Sequence, residues 1–193
     1  YIQQSHLIMN QHQLLAGKRG VIFGALDESS IAWHVAKQCV ADGARITLTN
    51  APVAMRFGTI QQLGDELNAE VISADATSTE ELTAVFQKSV DVLGGPLDFV
   101  LHSIGMSLNV RKGKAYTDIN HEWMHKTFDI SAMSFHRMMQ VLYQMDAMAS
   151  GGSILALTYI AAQRVFPDYN EMADAKALLE SFARSFGYHF GVK

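Results

Sequence analysis

The chain predicts one α/β domain built on a doubly wound parallel sheet. Three observations predict it. Short β-branched apolar runs alternate with amphipathic segments, giving the order βαβαβαβαβα. The apolar runs are too short to be helices, and their order implies a parallel sheet with helices on both faces. The length of 193 residues favours a single domain, and 49% hydrophobic with 18% charged residues supplies a core and excludes a disordered chain.

The elements follow in order. Gly20-Val21-Ile22-Phe23 reads as the first strand, and a loop runs from Gly24 to Ser29. Ser30 caps a helix with Ile31, Val35 and Cys39 at helical spacing, and Gly43 ends it. Arg45 to Thr49 is the second strand, Val53 to Leu67 a helix, and Glu70 to Ser73 the third strand. Thr77 or Ser78 caps a helix that runs to about Leu93, where Gly94-Gly95-Pro96 stops it. Leu97 to His102 is the fourth strand, and a polar loop spans Ser107 to Asp118. A long helical stretch covers about His121 to Met148. Gly151-Gly152 then turns into a fifth strand, Ser153 to Thr158, and a last helix runs from about Asn170 to Tyr188. A sheet of this kind is expected to carry a further strand, so the natural protein is expected to continue past Lys193.

Composition narrows the function classes. Fifteen Lys+Arg against nineteen Asp+Glu give a net charge of −4, with no dense basic block, so nucleic acid is not the expected partner. The single cysteine, Cys39, fits a reducing compartment and reads as a core residue. No apolar run approaches the ~20 residues of a membrane span, and the N-terminus lacks a signal pattern. Residues 1–14 read as a leader or tag, with Met9 a natural start, and residues 15–193 as the domain. The eight histidines form no H-E-x-x-H pair, and no metal site is expected. Six methionines between Met124 and Met148 suit a core or a helix–helix interface. Arg111-Lys112-Gly113-Lys114 is a small basic loop, either solvated or a contact for phosphate or an acidic protein.

Candidate chemistry gathers where strands end. The first strand–loop–helix has the layout of a phosphate cradle, with Gly24 for the turn and Ser30-Ile31 at the helix start. Only the first glycine of G-x-G-x-x-G is present, so an ordinary βα loop stays open. Gly105 after His102-Ser103-Ile104 allows a flat ring to approach the backbone, or simply ends the strand. Asp75 can accept from an adenine amino group or cap the next helix. Tyr159, Tyr169 and Lys176 form the strongest set. Tyr169 opening the last helix and Lys176 two turns later are expected on one face, about 10 Å apart along the axis. An ammonium there is expected to lower the tyrosine pKa. A solvent-facing lysine with two half-buried tyrosines is the plain alternative.

These residues together resemble the bacterial NADH-dependent enoyl-acyl-carrier-protein reductases, a branch of the short-chain dehydrogenase/reductase superfamily. The resemblance runs from about Leu15 to Lys193 and rests on Gly17-Lys18-Arg19, Gly24-x5-Ser30-Ile31-Ala32, His102-Ser103-Ile104-Gly105, and Tyr159 with a Tyr169-x6-Lys176 spacing. Leu48-Thr49-Asn50-Ala51-Pro52 and the ending Phe186-Gly187-Tyr188-His189-Phe190-Gly191 look like the Bacteroidetes version. It implies a Rossmann-like dinucleotide-binding domain, incomplete at its C-terminus, in a cytoplasmic homotetramer. It implies hydride transfer from NADH to C3 of a trans-2-enoyl thioester carried by acyl carrier protein, the last step of fatty-acid elongation. Gly24, Leu26, Ser30 and Ile31 then line the pyrophosphate and its ribose, and Asp75 and Ala76 flank the adenine. Ser103, Ile104 and Gly105 lie along the nicotinamide ribose, whose hydroxyls Lys176 holds. Tyr169 binds the thioester carbonyl, Tyr159 closes the acyl pocket, and Ser107 sits beside the substrate.

The chain departs from the family at the second strand. Ala51 stands where the family often has Gln, and no acidic residue reads the adenosine ribose, so NADPH stays open, with Arg56 nearby. The family's substrate lid and carboxamide-binding loop are expected after Lys193. Two other readings are a carbonyl reductase or alcohol dehydrogenase, which calls for Tyr-x3-Lys where Ala173 stands, and a non-catalytic NAD(P)-binding protein.

Overall fold

The computed structural model describes residues 13–193, so the leader expected at the N-terminus lies almost wholly outside the described residues. Five parallel strands form one sheet in the order β3-β2-β1-β4-β5: β1 Arg19–Phe23, β2 Arg45–Asn50, β3 Glu70–Ser73, β4 Leu97–His102 and β5 Met148–Ala156. The chain winds outward from β1 to β3, then returns to the other side of β1 with β4. That reversal makes the carboxyl ends of β1 and β4 the switch point, where open sheets bind ligands.

Alternation along the central strands builds two cores. Val21 and Phe23 of β1 face one cluster with Phe86, Phe135, Met138, Leu142 and Leu179, from helices α4 (Thr79–Leu93), α7 (Ser134–Met145) and α8 (Glu171–Gly191). Ile22 faces the other, with Trp33, Leu48, Leu63 and Leu101, covered by α1 (Ile31–Ala41) and α3 (Ile60–Leu67). Met138 and Met139 are buried within the chain, so this part of the methionine-rich stretch is core. The caps are largely those expected. Ser78 Oγ accepts from the Glu81 N–H at 3.2 Å, and Gly94 ends α4 with φ 79°.

Several boundaries differ from expectation, three of them for a tertiary reason, and the loop expected over Ser107–Asp118 carries the short helix Leu108–Arg111. The helix expected over Val53–Leu67 is two, α2 (Pro52–Met55) and α3, because the chain between them passes under the loop after β1. A Cβ on Gly58 there would lie 2.6 Å from Leu26 backbone oxygen, and the Thr59 N–H donates to that oxygen at 2.9 Å. The long helical stretch is α6 (His121–Phe128), a π-helical segment at Asp129–Met133, and α7, which closes on Asp146 in the left-handed region at φ 52°. β5 starts at Met148 opposite Leu97, so Gly151-Gly152 lies in a bulge inside the strand rather than ahead of it. It ends at Ala156, two residues before the expected Thr158.

Candidate functional site

A cleft of about 510 Å³ opens at the switch point. It is lined by Gly24 and Leu26 after β1, Ala51 after β2, Asp75 and Ala76 after β3, and Ser103, Ile104 and Gly105 after β4. Eight of the residues expected around the cofactor therefore share one concave surface. Arg111, Lys126 and Asp129 line its outer side.

Gly24 makes the floor possible. Its φ is +94°, and a Cβ there would stand 2.0 Å from Ser103 backbone oxygen. Neither the dihedral nor the space admits a side chain, so β1 and β4 approach closely where the two loops leave the sheet. The loop that follows is closed by its own short polar side chains. The Leu26 N–H donates to Ser30 Oγ at 3.1 Å, and that hydroxyl donates to Asp27 backbone oxygen at 2.7 Å. Asp27 Oδ1 accepts from the Ser29 hydroxyl and N–H, and these bonds hold its carboxyl below the usual range. Ser30 takes the N-cap position of α1 with its hydroxyl spent on the loop. Neither Ser30 nor Ile31 lines the cleft, and Ile31 is 63% exposed.

On the opposite wall, Asn50 bridges β2 to the loop: its Nδ2 donates to Ala25 O at 2.9 Å, and its Oδ1 accepts from the Ala51 N–H at 2.8 Å. Arg56 is exposed and lies outside the lining residues. Asp75 stands two residues past β3, not at its end, and its Oδ1 accepts from the Thr77 N–H and hydroxyl, both at 2.8 Å. The capping-type role is thus occupied, while the residue still lines the cleft.

The two tyrosines are brought together, and Lys176 is tied to the chain that leads from β5 to Tyr159, with two corrections. Tyr169 does not open α8; it precedes the helix by two residues, between Asp168 at φ 68° and Asn170 at φ 46°. The shared helix face is therefore replaced by a strained turn. Such dihedrals are tolerated chiefly by Asp, Asn and Gly, and they concentrate where structure fixes a functional group. Tyr159, three residues past β5, stacks on Tyr169 with centroids 4.9 Å apart and on Phe166 at 5.2 Å. Burial, and then Tyr159, raise the Tyr169 pKa above that of an ordinary phenol, the reverse of the lowering expected from a neighbouring ammonium. Lys176 is buried on α8 and donates from Nζ to Leu157 O at 2.6 Å, and burial lowers its pKa. A Cβ on Gly105 would lie 3.9 Å from that Nζ, so the lysine ends beside the Gly105 backbone on the cleft floor.

Ser107 is buried as the N-cap of α5 (Leu108–Arg111), accepting from the Val110 N–H at 3.0 Å and donating to Glu171 Oε1 at 2.7 Å. Two buried titratable side chains were given no role by sequence reasoning. His102, at the end of β4, is fully buried; burial first, and Lys176 second, push its pKa down to about 3, so its ring is neutral. Its Nε2 is 2.8 Å from Ser134 Oγ. Glu171, the first residue of α8, is also fully buried. A glutamate between Asn170 and Met172 was the available signal, since an acidic residue in a first helical turn reads as a cap.

Comparison with known proteins places this geometry. A family model described as enoyl-(acyl carrier protein) reductase matches residues 24–193. The chain is similar to enoyl-[acyl-carrier-protein] reductase [NADH] 1 of Rhizobium meliloti, with 38% identity over 92% of this chain and 64% of that protein. It is similar to the FabI–NADH complex from Alistipes finegoldii, with 56% identity and TM-score 0.92 over 94% of this chain and 64% of that one. A Bacillus cereus enoyl-acyl carrier protein reductase, solved with NADP+ and indole naphthyridinone, shares 31% identity at TM-score 0.81, over 91% of this chain and 70% of that one. The chain thus spans somewhat under two thirds of the length of the first two. The sheet order, the cleft at its switch point and these matches agree: the chain belongs to the enoyl-(acyl carrier protein) reductase family.

Proposed function

We propose that the protein reduces trans-2-enoyl thioesters with NADH; the observation that carries this reading is Lys176 Nζ beside Gly105 on the cleft floor, held on Leu157 O two residues before the stacked Tyr159–Tyr169 pair. The cleft fits a dinucleotide on its own terms. Its floor is backbone that a Cβ would obstruct at Gly24, its size is that of a cofactor site, and its polar groups are few. The bound cofactor supplies hydride for C3 of the enoyl group. Gly24 and Leu26 hold the pyrophosphate and adjacent ribose on a loop that Ser30 closes ahead of Ile31 at the start of α1, Ala51, Asp75 and Ala76 hold the adenosine end, and Ser103, Ile104, Gly105 and Lys176 the nicotinamide ribose.

The chain's own residues then act on the thioester. Negative charge grows on the thioester oxygen as C3 accepts hydride. Tyr169 keeps its proton because burial raises its pKa, so it meets that oxygen as a hydrogen-bond donor. The Lys176 ammonium adds a fixed positive charge in a dry setting. Tyr159 walls the acyl chain with its exposed face, and Ser107 lies beside the substrate. NADH is favoured over NADPH because the similar reductases of Rhizobium meliloti and Alistipes finegoldii are named with NADH. The acyl chain arrives on acyl carrier protein, in the cytoplasm, at a homotetramer. Among the described residues no helix is long and apolar enough to cross a membrane.

The test follows absorbance at 340 nm with NADH, then NADPH, and a trans-2-enoyl thioester. Enoyl-dependent loss of signal with NADH is the expected result. Tight NADH binding without such a loss overturns the reading in favour of a non-catalytic binder. Sedimentation of the same sample checks the tetramer.

A further inference from the structure

We propose that Glu171 is a positioning residue for this site, an inference that rests on the enoyl-reductase reading above. Its Oε1 accepts from Ser107 Oγ at 2.7 Å and Asn109 Nδ2 at 3.1 Å, and from Thr127 Oγ1 at 2.9 Å, whose single hydroxyl proton it shares with Trp123 O at 3.0 Å. Those donors come from the N-cap of α5, from α5 itself, and from α6. Asn109 is in turn bonded twice to Asn120, through the Asn120 N–H at 2.9 Å and its carbonyl at 3.1 Å. Two further contacts run alongside: Asn170 Nδ2 donates to Lys114 O, and the Tyr116 hydroxyl donates to Asp174 Oδ2 at 3.0 Å. The whole segment from Ser107 to Asn120 is thereby fastened to the first turn of α8. Tyr169 stands two residues before Glu171, and Lys176 five residues after it.

The energetics single out Glu171 within this set. It is fully buried, its second oxygen, Oε2, has no partner, and no Lys, Arg or His pairs with it among the described residues. A buried carboxylate of this kind costs stability, and an apolar residue of similar size is commonly better tolerated. A costly group that collects donors from two helices serves position rather than stability. The position at stake is that of Tyr169 and Lys176 against Ser103–Met106, which form the cleft wall and lead directly into Ser107. The strained turn around Tyr169 needs such over-determination to persist.

The experiment compares Glu171→Leu and Glu171→Gln in the full-length protein, reading kcat, KM for crotonyl thioester, Kd for NADH, and amide exchange. Glu171→Leu is expected to lower kcat by about 30-fold while NADH affinity moves less than about threefold. Exchange is expected to quicken across residues 107–127 and the start of α8 but not in β1 to β4. Glu171→Gln retains the acceptor oxygen and is expected to restore kcat to within about threefold of the parent. A Glu171→Leu kcat within about twofold of the parent overturns the proposal, as does equal damage by Gln and Leu, or uniform quickening over the whole chain. If Glu171→Leu does not fold, Thr127→Val removes one donor at constant shape; an unchanged kcat and unchanged local exchange then overturn it. If the parent itself shows no enoyl-dependent NADH oxidation, the enoyl-reductase reading fails. The exchange comparison still decides the clamp: local quickening reversed by Gln supports it, and its absence overturns it.

Discussion

The two sides of the cleft are held in different ways. On the side of β1, β2 and β3, the surface is mostly backbone and small side chains, set by the hydrophobic packing behind it. Gly24, Ala51, Ala74 and Ala76 present little to a ligand except backbone groups and shape. On the side of β4, β5 and α8, position comes from buried polar groups: Lys176 on Leu157 O, His102 on Ser134, and Glu171 on three donors. The first side is expected to be most sensitive to added volume, the second to a lost partner. A surface for binding can be made by close approach alone, whereas groups that act in a transition state need fixed orientation as well.

Breaking the backbone side gives the largest expected effect. Gly24→Ala forces a Cβ onto Ser103 backbone oxygen and disfavours the left-handed φ, so a loss above about 4 kcal/mol and no NADH binding are expected. Denaturant unfolding checks it; an alanine variant with parental midpoint and affinity contradicts the close-approach account.

Acid probes the polar side. His102 has a folded pKa of about 3 against an ordinary 6.5, so its contribution is complete above 6.5 and is lost as pH falls from 6.5 toward 3. The loss reaches about 5 kcal/mol at full protonation. His102→Gln should flatten that part of the stability–pH curve; an unchanged slope assigns the acid sensitivity elsewhere.

Tyr169→Phe is expected to lower kcat by about 10²–10³ with NADH affinity nearly intact. Equal losses in both would move Tyr169 from the reacting oxygen to the cofactor. Lys176→Ala should raise the NADH Kd by about tenfold to a hundredfold. Because burial lowers the Lys176 pKa, that affinity should decline at a pH below the ordinary lysine value of 10.5. A variant that binds NADH as tightly as the parent removes the ribose role. The smallest effect belongs to Asp75→Ala, which opens the Thr77 turn for about 1 kcal/mol of stability, read as a small thermal shift.

The alternation of elements, the parallel sheet and the strand ends that line the cleft were legible in the residues alone, and Tyr159, Tyr169 and Lys176 stood out as candidates there. Apolar strand runs, cap residues and the glycine after β1 are local signals, set by dihedral preference and periodicity. Ser30 was legible as a cap by type, yet only the folded loop spends its hydroxyl on Leu26 and Asp27. Ser107 was legible as a site residue only through family likeness, and its bond to Glu171 spans 64 positions of chain.

By itself the sequence determined the alternation of elements, the parallel sheet and the strand ends at which chemistry collects, because these follow from short-range sterics and the burial of apolar runs. The tertiary structure alone decided the break between α2 and α3, the π segment before α7, the raised pKa of Tyr169 and the burial of Glu171. Each depends on what lies across the fold: Leu26 over Gly58, Tyr159 on Tyr169, and Ser107, Asn109 and Thr127 around one carboxylate oxygen. Solvent exclusion and hydrogen-bond partners are properties of packed space, and no local pattern of residues encodes them.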